Sequence, residues 1–157
     1  MGDSATLTGT LHEGAGPAKG RSMTAPSPLT ASAMVFAGGG AGAVLRYQLG
    51  RAMTGALGPA TVSAFPWATL AANVIGSLAM GLLAGWLAKA GSGADEGWRL
   101  VLGVGLLGGF TTFSAFSLEL MLLIERGQAG SAFAYGAVSV LAGLTGLYIG
   151  LIAMRLA

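Results

Sequence analysis

Apolar residues fall into four long runs separated by short polar breaks, after a polar beginning. Residues 1–30 are rich in Gly, Ser, Thr, Ala and Pro, hold Asp3, His12, Glu13, Lys19 and Arg21, and show no apolar periodicity. This composition predicts a disordered tail. The tail lacks the unbroken apolar core of a signal peptide, so the first hydrophobic segment is expected to be retained. Residues 31–157 then read as one domain of four transmembrane helices, an all-α membrane protein.

The first run, Ser32 to Gly50, is built on Ala and Gly and carries Arg46 in its last turn. The second, Phe65 to Ala88, has no charge and opens with Pro66 at an expected first helical position. Trp67 and Trp86 fall about 28 Å apart at helical rise, close to the roughly 30 Å of a hydrocarbon core. Their rings suit opposite interfacial belts. The third run, Trp98 to Ile124, is uncharged from Leu100 to Leu118. Its centre reads Gly108-Gly109-Phe110-Thr111-Thr112, poor helix material, and predicts a break there. The fourth, Gly127 to Met154, is long enough to span with tilt.

Composition agrees with this layout. Of 157 residues, 54% are hydrophobic and 9% charged, against about 25% charged in soluble domains. The 28 glycines permit close backbone packing between bilayer helices. Gly81/Gly85 and Gly146/Gly150 have GxxxG spacing. The net charge of +2 comes from scattered basic residues that form no phosphate-tracking patch, so nucleic acid is excluded as a partner. Without cysteine there is no disulfide and no thiolate chemistry. Gly38-x-Gly40-x-x-Ala43 imitates a dinucleotide fingerprint, but no strand precedes it. These are read as packing glycines.

Polar groups inside the runs carry the functional reading. Asn73 lies mid-span, where it serves either as interhelical glue or as a donor to a permeating anion. Thr111, Thr112, Ser114, Ser117, Ser139 and Thr145 bring hydroxyls to comparable depth. Tyr135 and Ser139 share a helix face at i, i+4. Phe113 and Phe116 are core or lipid-facing filler, or rings whose positive edges face an anion. Glu119 fits two readings, snorkelling to the interface or standing at a pore mouth. Arg46 and Arg51 are interface anchors, with Arg46 able to concentrate anions at a vestibule. No nucleophile, base and orienting acid share one depth, so an enzyme is not expected.

Four spans place both termini on one side. Outside the tail, Lys89, Arg99 and Arg155 then oppose Arg46, Arg51 and Arg126. The charge bias that fixes orientation is nearly absent, and insertion in both directions is expected.

Three motifs carry a family resemblance: Gly38-Gly39-Gly40-Ala41-Gly42-Ala43-x-x-Arg46-Tyr47, Pro66-Trp67-Ala68-Thr69-Leu70-x-x-Asn73-x-x-Gly76, and Gly108-Gly109-Phe110-Thr111-Thr112-Phe113-Ser114-Ala115-Phe116-Ser117. In order and spacing they closely resemble the CrcB-type (Fluc) fluoride channels, from about residue 33 to the C-terminus. The resemblance implies an antiparallel, dual-topology homodimer in the cell (plasma or inner) membrane. Such a dimer exports fluoride passively through two pores, limits fluoride toxicity, and holds a structural sodium ion at its centre. It further implies that backbone carbonyls of Gly108 and Thr111 hold sodium, and that Asn73, Phe113, Phe116, Glu119, Tyr135 and Ser139 belong to the fluoride pore, to which the mid-depth hydroxyls of Ser114 and Thr145 are added as candidates. Arg46 falls at the vestibule. One turn past Ser139 the stripe meets Gly143, and Thr145 is the next candidate hydroxyl.

Two alternatives stand beside this reading. A small multidrug-type transporter shares the span count and dual insertion, but its family needs a carboxylate in the first helix, and none lies between Glu13 and Asp95. A non-conducting membrane assembly subunit would give the polar stripe no purpose.

Overall fold

A computed structural model describes residues 26–90 and 95–157, and those residues are helical with short connections. The tail expected over residues 1–30 lies outside the described residues up to position 25. Four helices are long and apolar enough to cross a membrane: Pro28–Leu57, Trp67–Ala90, Glu96–Glu125 and Ala129–Leu156.

Helix α1 (Pro28–Leu57) starts earlier than the apolar run suggests because Ser27 caps it. The Ser27 hydroxyl accepts the Thr30 N–H at 3.2 Å, and Pro28 stands at the first helical position, where no N–H is needed. It also runs past Gly50 to Leu57, ending where Gly58 takes φ 82°. The left-handed region favours glycine, which has no Cβ to clash. Short α2 (Pro59–Ala64) follows, with no buried residue. Phe65 is extended, and α3 (Trp67–Ala90) begins with the Pro66 carbonyl accepting from Leu70 N. Pro66 therefore sits one residue before the helix rather than inside it.

The third span is composite. It comprises α4 (Asp95–Trp98), a π-helical stretch (Arg99–Leu107), α5 (Gly108–Phe110), and α6 (Phe113–Glu125). The expected break over Gly108–Thr112 is narrower than its sequence suggests. Gly108, Gly109 and Phe110 stay helical, and only Thr111 (φ −81°, ψ 159°) and Thr112 (φ −155°, ψ 124°) are extended. The glycines serve a different purpose: a Cβ on Gly109 would collide with the Gly39 carbonyl of α1. Gly127, at φ 73°, then turns the chain into α7 (Ala129–Leu156).

Helix α1 packs along the π-helical stretch and α5, whereas α7 packs along α3 and α6. The third span thus begins beside α1 and finishes beside α7, with its break next to α3. The two GxxxG pairs face each other across α3 and α7: Gly81 lies against the Leu147 carbonyl and Gly150 against the Leu78 carbonyl. Close main-chain approach of this kind gives bilayer helices the dispersion contacts that hydrophobic expulsion cannot supply.

Candidate ion pathway

The break is held open by one side chain. Asn73 Nδ2 donates to the Thr112 carbonyl at 3.2 Å, and the Thr112 N–H donates to Asn73 Oδ1 at 2.9 Å. Both backbone polar groups of the extended Thr112 are thereby satisfied, as burial within a bilayer demands. Thr112 also caps α6, its hydroxyl accepting from Ala115 N at 3.2 Å. Gly76 leaves the space for this turn, since a Cβ there would strike the Thr111 methyl. The carbonyls of Gly108, Gly109, Phe110 and Thr111 lose their helical donors as a result. The Thr112 N–H that would close on Gly108 goes to Asn73, and the Ala115 N–H that would close on Thr111 goes to the Thr112 hydroxyl.

Beside the break lies a groove of 240 Å³ whose wall includes Asn73, Ser77, Thr112, Phe113, Phe116 and Ser139. Phe113 is 80% exposed, and its ring centroid stands 5.8 Å from that of Phe116. The Ser139 hydroxyl is buried and has no partner among the described residues. Neutral donors and ring edges arranged this way can replace part of an anion's water shell without supplying a full opposing charge.

A second cluster gathers around Glu119. Thr69 Oγ1 donates to one carboxylate oxygen at 2.7 Å, and the Tyr135 hydroxyl donates to the other at 2.8 Å. Glu119 is thus tethered from α3 and α7 rather than snorkelling free. Tyr135 is fully buried, with its ring 5.1 Å from Phe116 and 5.5 Å, edge-on, from Phe65. The Phe116 ring therefore touches both the groove and the Glu119 cluster.

Thr69 also borders a larger groove of 490 Å³ that Arg46, Arg51 and Tyr47 help to line. The buried Arg46 Nε has no partner among the described residues. On the far side of Ala68, Glu119 borders a groove of 200 Å³. At its edge Arg126 Nη1 donates to the Ser63 carbonyl of α2 at 2.9 Å. Basic residues stand at the edges of both grooves that approach the Glu119 cluster.

The structure brings Asn73, Phe113, Phe116, Glu119, Tyr135 and Ser139 into one continuous arrangement, with Arg46 at its margin. Ser114 is exposed, its hydroxyl 3.3 Å from that of Thr112. Ser117 donates to the Phe113 carbonyl of its own helix at 2.9 Å. Thr145 is exposed and does not line the groove. The reason is angular: six residues past Ser139, it lies about 240° around the helix. Thr69 and Ser77 were missed by the sequence reading, although they flank Asn73 at i−4 and i+4, a spacing that shares one helix face. Among the described residues, no group of His, Cys, Asp and Glu is placed to hold a metal ion.

Comparison with known proteins agrees with this architecture. Residues 33–151 match the family model described as CrcB-like protein, Camphor Resistance (CrcB). The chain is 61% identical over 127 residues to the fluoride-specific ion channel FluC of Novosphingobium aromaticivorans, an alignment covering 81% of this chain and 98% of that protein. It is 54% identical to the fluoride-specific ion channel FluC of Erythrobacter litoralis (85% and 98% covered) and 53% identical to that of Phenylobacterium zucineum (78% and 93%). With a family match across most of its length and relatives 53–61% identical, the chain belongs to the CrcB family.

Proposed function

We propose that this protein is a fluoride-selective ion channel that lets fluoride leave the cell passively across the plasma or inner membrane, reducing its toxicity. The observation that carries the reading is the groove beside the break, where Asn73, Ser139 and the rings of Phe113 and Phe116 meet. Moving a small bare anion into an apolar medium costs on the order of tens of kcal/mol, so a pathway must return hydrogen bonds at each step. Hydroxyls, an amide and ring edges do so without binding too tightly for release. No energy-coupling site is required. Hydrogen fluoride enters neutral from an acidic medium and ionises inside, and the membrane potential drives the anion out through an open path.

In this reading two copies assemble as an antiparallel, dual-topology homodimer with two pores. The nearly balanced basic residues of the spans support it, as does the exposure of Phe113, a large aromatic ring beside polar groove walls. The Gly108 and Thr111 carbonyls, left without helical donors, fit a structural sodium ion, a hard cation that takes neutral oxygens. A second copy doubles that oxygen set. Bound sodium would neutralise the exposed carbonyl dipoles and pin the two breaks together. Within the chain, Asn73 keeps Thr112 extended and so keeps these carbonyls free. Thr69 and Tyr135 orient Glu119, and Arg46 raises the anion concentration at one mouth.

Fluoride efflux from liposomes holding the purified protein tests the proposal, with chloride as the control. Rapid loss of fluoride with chloride retained is expected. Retention of both ions overturns the channel reading, and equal passage of both overturns the selectivity.

A further inference from the structure

Along α7 the polar stripe advances one turn from Tyr135 to Ser139, and the next position on that face, Gly143, has no side chain. Ser77 of α3 stands against this gap. A Cβ placed on Gly143 would lie 3.4 Å from Ser77 Oγ, in ordinary contact, so a polar atom beyond that Cβ and directed at α3 would compete with the serine for the same space. Ser77 also lines the 240 Å³ groove together with Asn73 and Ser139.

We propose that Ser77 is an anion-contacting residue of this chain, which carries the hydroxyl track from α7 onto α3 at the point where Gly143 interrupts it. The assignment rests on the channel reading and extends it to a residue outside the expected set. Spacing is the first support: Thr69, Asn73 and Ser77 recur every fourth position on α3, and the other two already engage the Glu119 carboxylate and the Thr112 peptide.

Hydroxyl bookkeeping is the second. Thr54, Thr111 and Ser117 each donate to the carbonyl four residues back at 2.9 Å, the usual fate of a hydroxyl inside an apolar helix. Ser77 makes no such bond among the described residues, so its proton is free for the groove. Ser139, on the same groove, is buried with no partner among the described residues. An unpartnered buried hydroxyl is costly. A small anion passing between the two would satisfy both, and both remain neutral donors suited to fast release. Gly143 is then a matter of volume, because a hydroxyl on α3 fills the place of one on α7.

Fluoride efflux from proteoliposomes tests the exchange in four forms: wild type, Ser77→Ala, Gly143→Ser, and the double variant Ser77→Gly/Gly143→Ser. Ser77→Ala is expected to slow efflux roughly tenfold, the order of one hydrogen bond to a charged group. Gly143→Ser alone is also slow, because two side chains crowd one space. The double variant recovers to within about threefold of wild type, since hydroxyl and volume have merely changed helices. Ser77→Thr keeps the hydroxyl and serves where Ser77→Ala fails to elute as wild type in detergent; conducting within about threefold of wild type is its expected result. A conducting wild type matched by Ser77→Ala, a double variant no faster than Gly143→Ser, or a slow Ser77→Thr overturns this assignment alone. A wild type that passes no fluoride overturns the channel reading and the assignment with it.

Discussion

The two halves of the third span meet their neighbours in opposite ways. Its first half, the π-helical stretch and α5, lies main chain to main chain on α1: a Cβ on Gly38 would collide with the Val101 carbonyl, and one on Gly42 with the Leu106 carbonyl. Its second half, α6, meets α3 and α7 through side chains, with Phe116 on Tyr135 and Glu119 held between Thr69 and Tyr135. One half has little volume to spare and, beyond Arg99 at its start, no polar side chain to offer. The other borders grooves, and Ser77 of α3 and Ser139 of α7 bring their hydroxyls to one of them. A packed scaffold and a permeable wall are thus built from one span, and the break between them lets the chain change partners from α1 to α7.

The scaffold side should be the most sensitive to substitution. In Gly42→Val, a Cβ must displace the Leu106 carbonyl and approach the Phe110 N–H to 2.8 Å. Main chain cannot yield as a side-chain tip can, and the strain is expected to exceed about 3 kcal/mol. Size-exclusion chromatography in detergent should return aggregate with no wild-type peak. A normally eluting, conducting Gly42→Val would erase the contrast between the two halves.

The junction comes next. Asn73→Ala removes both bonds to the Thr112 peptide and strands a donor and an acceptor away from water. The expected loss is about 2 kcal/mol or more, read as a lowered unfolding midpoint, with fluoride efflux falling at least tenfold. A variant that retained its midpoint but lost conduction would make Asn73 a pore ligand only, and not also the support of the break.

The smallest effect is expected on α6 itself, where it sharpens the distinction between hydroxyls that face the groove and those that do not. Ser117 is committed to its own helix and does not line the groove. Ser117→Ala should change stability by no more than about 0.5 kcal/mol and leave efflux as in wild type. A marked loss of flux would enlist back-bonded hydroxyls in the pathway and weaken the argument built on Ser77 and Ser139.

The spans were legible because bilayer thickness converts directly into a length of apolar sequence, and each of the four expected runs contains one of the observed spanning helices or most of it. Their ends were less so. Helix α1 gains residues at both ends through the Ser27 cap and through turns beyond Gly50 that carry Arg51, features that hydropathy does not weigh. The glycines around the break were read as helix weakening, whereas Gly109 is glycine because Gly39 lies against it. Nothing in the local sequence names a partner on another helix. The same limit applies to the site: Asn73 and Glu119 stand out as polar groups in apolar runs, but Thr69 and Ser77 look like ordinary helix hydroxyls until their neighbours are in place.

By itself the sequence determined the number of spans, their apolar character, the place of the break to within a few residues, and the family to which the chain belongs. These follow from composition and spacing along one dimension, where the cost of exposing a polar backbone to lipid leaves few choices. Tertiary structure alone decided that the break belongs to Thr111 and Thr112, that Asn73 holds it, that Glu119 is tied on both sides, and that Thr145 turns away while Ser77 stands across from Gly143. Each of these depends on which surface of one helix meets which surface of another, and that is settled by packing volume and by hydrogen bonds between residues far apart in the chain.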